Sequence, residues 1–223
     1  MCYQTVHTIK SVLANTFQNF RGSNHWPSFC LEVERLRPVQ IMKQVTWSYP
    51  QNGIIKINTD GSYVHETGRA GIGGIIRNRY GDLIMAFSFP IKCKNSNMAE
   101  AMAVEFGVKW CNQHGYTNFI LELDSMNIVN MLANDIVTNM KLKQVIDSIN
   151  VIKKRVHMQI KHCFREGNQV ADCLAKLASS SHQMLITQLY SNLPRQAKGL
   201  FLLDKWQLPS IRNKYDRANF FVS

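Results

Sequence analysis

Residues 54–62 read Ile54-Ile55-Lys56-Ile57-Asn58-Thr59-Asp60-Gly61-Ser62, a β-rich apolar run with an acid at its far end and a Gly-Ser pair behind it. Branched apolar residues over this length, opening after Pro50 and Gly53, predict a strand. A carboxylate inside such a strand costs free energy unless something neutralises or uses it. An Asp before Gly-Ser is also a common turn residue, so Asp60 alone decides nothing about chemistry.

Working outward, a second strand is predicted over 71–77. Residues 78–82 have hairpin-turn composition, and 83–91 return as a third strand, which makes an antiparallel meander. The period then changes. Asn97 is placed as the cap of a helix with Met98, Ala101, Met102, Phe106 and Val108 at helical spacing, ending near His114-Gly115. A buried-type strand at 119–123 runs into Asp124-Ser125, one of which would cap a helix over 126–134. A helix over 140–155, a strand over 156–164 and a last helix from 168 to 178 complete the pattern. Three strands followed by alternating helices and strands imply an α/β domain with a mixed sheet, spanning 53–180. Residues 1–52 read as an N-terminal extension with a weak helix at 8–20 and a turn at 22–24. Residues 181–223 read as a basic C-terminal tail broken by Leu193-Pro194 and Leu208-Pro209, either docked or loose.

The 223-residue chain carries 26 Lys+Arg against 15 Asp+Glu, a net charge of +11, which favours an anionic partner. No secretory signal and no membrane-length apolar run is present, so an intracellular protein of the nucleus or cytoplasm is expected, not a secreted one. The six cysteines form no CxxC pair and the seven histidines no zinc-type doublet, so they read as structural residues. The glycine run 71–74 lacks the strand–loop–helix context of a phosphate loop and is expected to permit close backbone packing.

Four acids stand at element ends: Asp60, Glu100 in the first turn of the first helix, Asp124 at a strand's carboxyl end, and Asp172 early in the last helix. Each has an ordinary explanation as a turn residue, a helix-dipole partner, a cap or a solvated acid. Together they match what two-metal phosphodiester chemistry needs, namely several carboxylates from different elements holding hard, oxygen-loving cations.

The segments Lys56-Ile57-Asn58-Thr59-Asp60-Gly61-Ser62, Ala99-Glu100-Ala101, Glu122-Leu123-Asp124-Ser125 and Arg165-Glu166-Gly167-Asn168-Gln169-Val170-Ala171-Asp172-Cys173-Leu174-Ala175-Lys176 resemble the ribonuclease H family, type 1. Within it they look most like the plant reverse-transcriptase-like branch, found in retroelement (retrotransposon) polyproteins and as stand-alone genes. The flanks Val45-Thr46-Trp47 and 199–205 are similar to that branch as well, and the chain's start could be a remnant of a preceding zinc-binding reverse-transcriptase segment. The resemblance implies a ribonuclease H-like fold with a mixed five-stranded sheet. It also implies a hydrolase, an endonuclease cutting the RNA strand of RNA–DNA hybrids with two Mg²⁺ ions, for which Mn²⁺ could substitute. Asp60, Glu100, Asp124 and Asp172 would be the catalytic metal ligands, with Asp60 bridging both ions. Gly61, Ser62, Asn97, Ser125, Arg165 and Asn168 would contact the nucleic acid. A monomer without membrane association is expected.

One departure from the family stands out. Bacterial members carry a histidine in a longer loop before the last helix, and here that loop is only Arg165-Glu166-Gly167. His162 falls within the predicted last strand and reads as structural, while Arg165 could supply positive charge. The alternative is therefore a nucleic-acid-binding module of retroelement descent with weak or lost catalysis. Lys141, Lys143 and Lys153-Lys154-Arg155 could track phosphates, or simply solvate helix ends. With the four acids set aside, the core holds fifteen basic and seven acidic side chains, a basic surface around an acidic pocket.

Overall fold

The computed structural model describes residues 2–16, 20–36, 39–134, 137, 139–181 and 183–216. The chain forms two compact units, residues 1–43 with 213–223, and residues 44–212. In the first, α1 (Cys2–Thr16) and α2 (Trp26–Arg35) are helical, and the buried Phe29 packs its ring against Phe20 and Trp26. The helix expected at 8–20 thus lies nearer the N-terminus, with 17–19 outside the described residues. The strand β1 (Val39–Val45), which follows it, was not foreseen.

The second unit continues with β2 (Ile55–Val64), β3 (Arg69–Arg77), β4 (Leu83–Ile91), α3 (Ser96–Gln113), β5 (Asn118–Leu123), α4 (Met126–Asn134), α5 (Met140–Lys153), β6 (His157–His162), α6 (Gln169–Ser181), β7 (Leu185–Thr187) and α7 (Arg195–Lys205). β8 (Ser210–Asp216) pairs with β1 in a two-stranded sheet. The main sheet has the order β6-β5-β2-β3-β4-β7. β2, β3 and β4 form the antiparallel meander, while β5 and β6 run parallel to β2.

Side chains alternate across β2 and so divide its labour. Ile55 and Ile57 join the larger core beneath α3, α4 and α5, with Phe87, Leu121 and Ile149. Lys56, Asn58, Asp60 and Ser62 face the opposite side, where the Ser62 hydroxyl meets that of Ser179 in α6 at 3.0 Å. The second face is closed by a smaller cluster of Ile75, Ala86, Val170, Leu174, Leu193, Ala197 and Phe201.

The glycine run does pack backbone on backbone. A Cβ at Gly73 would sit 2.2 Å from the Ala175 nitrogen, and one at Gly71 would sit 2.5 Å from that of Ser179. α6 can therefore lie directly on β3, with Asn168 at its start beside Thr59 in the middle of β2 and Ser179 near its end beside Ser62.

Three expectations change. The sheet has six strands, not five, because β7 pairs antiparallel with β4 at the far edge. Residues 185–212 are not a tail but part of the 44–212 unit, since α7 buries Ala197 and Phe201 against α6. The first long helix is capped by Asn95, whose side chain accepts from the Met98 N–H at 2.9 Å, and not by Asn97. Glu100 consequently lies in the second turn.

Beneath α7 the second face holds a buried polar layer. Arg77, 1% exposed, donates to Asp204 at 2.6 Å and to Asn58 at 2.7 Å, and its guanidinium lies 3.7 Å from the centre of the Trp47 ring. Lys56 donates to Glu122 at 2.7 Å, and the Trp47 indole donates to Asn58 at 3.0 Å. Two buried cations thus meet two buried anions, which is what makes the layer tolerable in low dielectric. Trp47 and Asp204 come from the two flanks of the 53–180 core, one on each side.

Candidate functional site

Asp60 sits midway along β2, opposite Gly73 of β3, and the parallel pairing of β2 with β5, with Asn58 opposite Glu122, sets Asp124 beside it one step past the end of β5. Glu100 arrives from α3. The approach is close because Gly61 has no side chain: a Cβ there would lie 2.2 Å from the Glu100 nitrogen. Carboxylate oxygens of Asp60, Glu100 and Asp124 all lie within 4.8 Å of one another, the one group among the described residues arranged to hold a metal ion.

The electrostatics of this triad are unfavourable without a cation. Asp60 is 7% exposed, and burial, followed by the charges of Asp124 and Asp172, pushes its carboxyl up to about 7. Burial, then Asp60 and Asp124, pushes Glu100 up to about 10. Burial leads like-charge crowding in both cases. The buried Oε2 of Glu100 has no hydrogen-bond partner. Three converging carboxylates with an unsatisfied oxygen fit a hard divalent cation, which takes oxygen ligands and offsets the crowded charge.

Asp172, in the first turn of α6, is placed differently. It lines the same cleft, but one oxygen accepts from Arg165 at 3.1 Å and the other from Lys176 at 2.6 Å. The fourth acid is therefore neutralised by two cations and stands apart from the triad. Lys176 closes the last of the resembling segments, but its place there suggested no role at the site. The signal was present in the four-residue spacing from Asp172, which puts both on one helix face.

The open cleft has a volume of about 440 Å³, and its lining includes Gly61, Ser62, Asn97, Ser125 and Arg165. Asn168, expected among the nucleic-acid contacts, is 1% exposed and braces the site from beneath. Its amide donates to the Thr59 carbonyl at 2.9 Å and lies 3.4 Å from Asp124. His162 is exposed, edge-on to Phe164, and does not line the cleft. The lysine set divides as well. Lys143 pairs with Asp147, and Lys153 donates to the Leu132 carbonyl. Lys141 lines a second cleft of about 580 Å³ with Lys92, Lys94 and Asn139. No helix among the described residues is long and apolar enough to cross a membrane.

Comparison with known proteins gives a consistent set of relatives. The profile of the reverse transcriptase-like family matches residues 58–178. A candidate ribonuclease H protein of Arabidopsis thaliana is 30% identical over 142 residues, which is 63% of this chain and 23% of that one, so the chain spans under a quarter of this relative's length. Among solved structures, LC11-RNase H1, isolated from compost, superposes with a TM-score of 0.53 at 29% identity, over 56% of this chain and 95% of its own. Its complex with an RNA/DNA hybrid superposes with a TM-score of 0.52 at 27% identity, over 56% of this chain and 96% of its own. RNase H1 of the halophilic archaeon Halobacterium salinarum shares the fold, with a TM-score of 0.53 at 23% identity, over 56% and 97%.

Proposed function

Because the chain belongs to the reverse transcriptase-like family and carries a ribonuclease H-like domain, we propose that it is a metal-dependent nuclease that hydrolyses the RNA strand of RNA–DNA hybrids. The observation that carries this reading is the convergence of Asp60, Glu100 and Asp124, carboxylate oxygens within 4.8 Å of one another, with one buried Glu100 oxygen left unpartnered. The hybrid-bound structure of LC11-RNase H1 supports the choice of substrate.

Asp60, Glu100 and Asp124 would hold the first ion, and Asp60 with Asp172 a second, once Asp172 exchanges Arg165 and Lys176 for metal. When bound, two Mg²⁺ ions lower the pKa of a water and offset charge on the phosphate that is cut. The chain's own residues do the rest. The buried middle of β2 holds Asp60 and α3 holds Glu100, and Asn168 fixes the Thr59 carbonyl beside Asp124. Arg165 and Lys176, on the cleft wall, would turn to the phosphate backbone as they leave Asp172.

A second reading, binding of nucleic acid without cleavage, is favoured by one observation: both oxygens of Asp172 are already satisfied by cations. The two separate on a labelled RNA–DNA hybrid incubated with and without Mg²⁺, alongside Asp60→Asn. The nuclease cuts the RNA strand only with Mg²⁺, and the variant does not. Hybrid binding with no Mg²⁺-dependent cleavage above that of Asp60→Asn overturns the enzymatic reading and leaves the binding module.

A further inference from the structure

The loop that carries Arg165 is a single turn of 3₁₀ helix, residues 165–167. It is closed by hydrogen bonds from the Gly167 N–H to Phe164 at 2.8 Å and from the Asn168 N–H to Arg165 at 3.0 Å. So short a turn, with poor hydrogen-bond geometry, has little stability of its own. The Arg165 side chain is long and two-thirds exposed, so where it points depends on where that backbone is held.

The chain that returns after α7 supplies the hold. It reverses at Gln207, the one non-glycine residue with positive φ (58°) among the described residues. This left-handed turn is fastened by the Gln207 side-chain amide, which donates to the Trp47 carbonyl at 2.6 Å. The Tyr49 hydroxyl donates to the Lys205 carbonyl next to it. From there residues 210–212 pass along the outer side of the loop and touch it three times. The Gln169 amide donates to the Ser210 hydroxyl at 3.0 Å. Arg212 donates to the Glu166 carboxylate at 3.1 Å. The Arg212 guanidinium also lies 4.4 Å from the centre of the Phe164 ring. The contacts fall just before the turn, within it and just after it, so they bracket Arg165. Arg212 and Glu166 are both partly buried, at 33% and 25% side-chain exposure, so water and salt screen the pair less than an open surface pair. Neither residue lines the cleft.

We propose that Arg212, with Ser210, is a positioning residue: the C-terminal return clamps the 164–169 loop so that Arg165 meets Asp172 and faces the cleft. The consequence for catalysis rests on the nuclease reading above, while the clamp itself does not. Displacements of about 1 Å in a group that must meet a reacting phosphate can cost on the order of 100-fold in rate. A clamp outside the cleft can therefore matter to the chemistry inside it. A shortened loop lacks room to build internal contacts, and the C-terminal return supplies them from outside.

The test is amide hydrogen exchange at Gly167 and Asn168 in the full chain, without metal or nucleic acid, for wild type, Arg212→Ala, Arg212→Lys and Glu166→Gln. Arg212→Ala and Glu166→Gln are each expected to speed exchange at these two amides about fivefold, while amides in the middle of α6 keep their rates. Arg212→Lys, which keeps the charge, should recover part of the protection. Unchanged exchange at Gly167 and Asn168, or an increase shared equally by the α6 amides, overturns the clamp. On hybrid cleavage, Arg212→Ala should lower kcat about tenfold with KM little changed. If wild type cuts no hybrid, the nuclease reading falls and the exchange data still decide the clamp.

Discussion

Asp204→Ala is expected to destabilise the 44–212 unit by about 3–5 kcal/mol, the cost of leaving a buried charge without its partner. The magnitude follows from Arg77. Its side chain is 1% exposed, its NH1 meets Asp204 at 2.6 Å, and its Nε already lacks a partner, so removing the carboxylate leaves the guanidinium with Asn58 and the face of Trp47. Burial pushes the Asp204 carboxyl up and the Arg77 guanidinium down, while each draws the other back toward its charged form. Desolvation of a buried ion pair commonly cancels its attraction, so a well-packed hydrophobic pair should do nearly as well. Arg77→Met with Asp204→Leu is accordingly expected to recover most of the loss. The assay is thermal and urea denaturation, followed by tryptophan fluorescence and circular dichroism. For a chain of this size the single variant should lower Tm by on the order of 10 °C. A loss below about 1 kcal/mol, ordinary for an exposed pair, would refute the reasoning. So would a double variant no more stable than the single one.

Four further outcomes are expected. Unfolding lets Asp60 and Glu100 ionise near their ordinary 3.8 and 4.5, whereas folding holds them up to about 7 and about 10. The unfolded state therefore binds fewer protons, and metal-free stability should fall as pH rises from about 4 toward 7, and further toward 10. Thermal melts in EDTA across this range check the sign. Asp60→Asn should raise the metal-free Tm at pH 8 and abolish the stabilisation that Mg²⁺ gives wild type. Gly73→Ala would put a methyl carbon 2.2 Å from the Ala175 nitrogen and should cost about 3 kcal/mol or more, by forcing α6 off the sheet. Gly199→Ala, in the helical interior of α7 with nothing within 4 Å, should instead stabilise by about 0.5–1 kcal/mol, and denaturation midpoints of the two variants decide.

The meander and the parallel strands were legible because each element is locally consistent. The run 54–60 alternates, 83–91 is β-rich throughout, and the helix-period residues from Met98 onward change the pattern sharply. Asp60 and Asp124 were legible because a charge inside or at the end of an apolar strand conflicts with its surroundings, and such conflicts mark sites, while the helical Glu100 and Asp172 stood out only through the family resemblance. Other features left no comparable trace. Leu185–Thr187 is too short to show a period, so the sixth strand stayed hidden. No local pattern marks Lys56, Arg77 and Glu122 as buried, and it is the fold that pairs Lys56 with Glu122 and Arg77 with Asp204 on one covered face.

The sequence by itself determined the order of elements, the mixed character of the sheet and the four acids, because propensity, periodicity and caps act over a few residues. Tertiary structure alone decided which of those acids share a site. Asp60, Glu100 and Asp124 converge because Gly61 lets α3 touch β2 and because β5 pairs in parallel register with it. Asp172 stands apart because Arg165 and Lys176 hold it. The same is true of residues 206–212. Their contacts to the 164–169 loop join positions more than 40 residues apart, and no local pattern encodes a pairing at that distance.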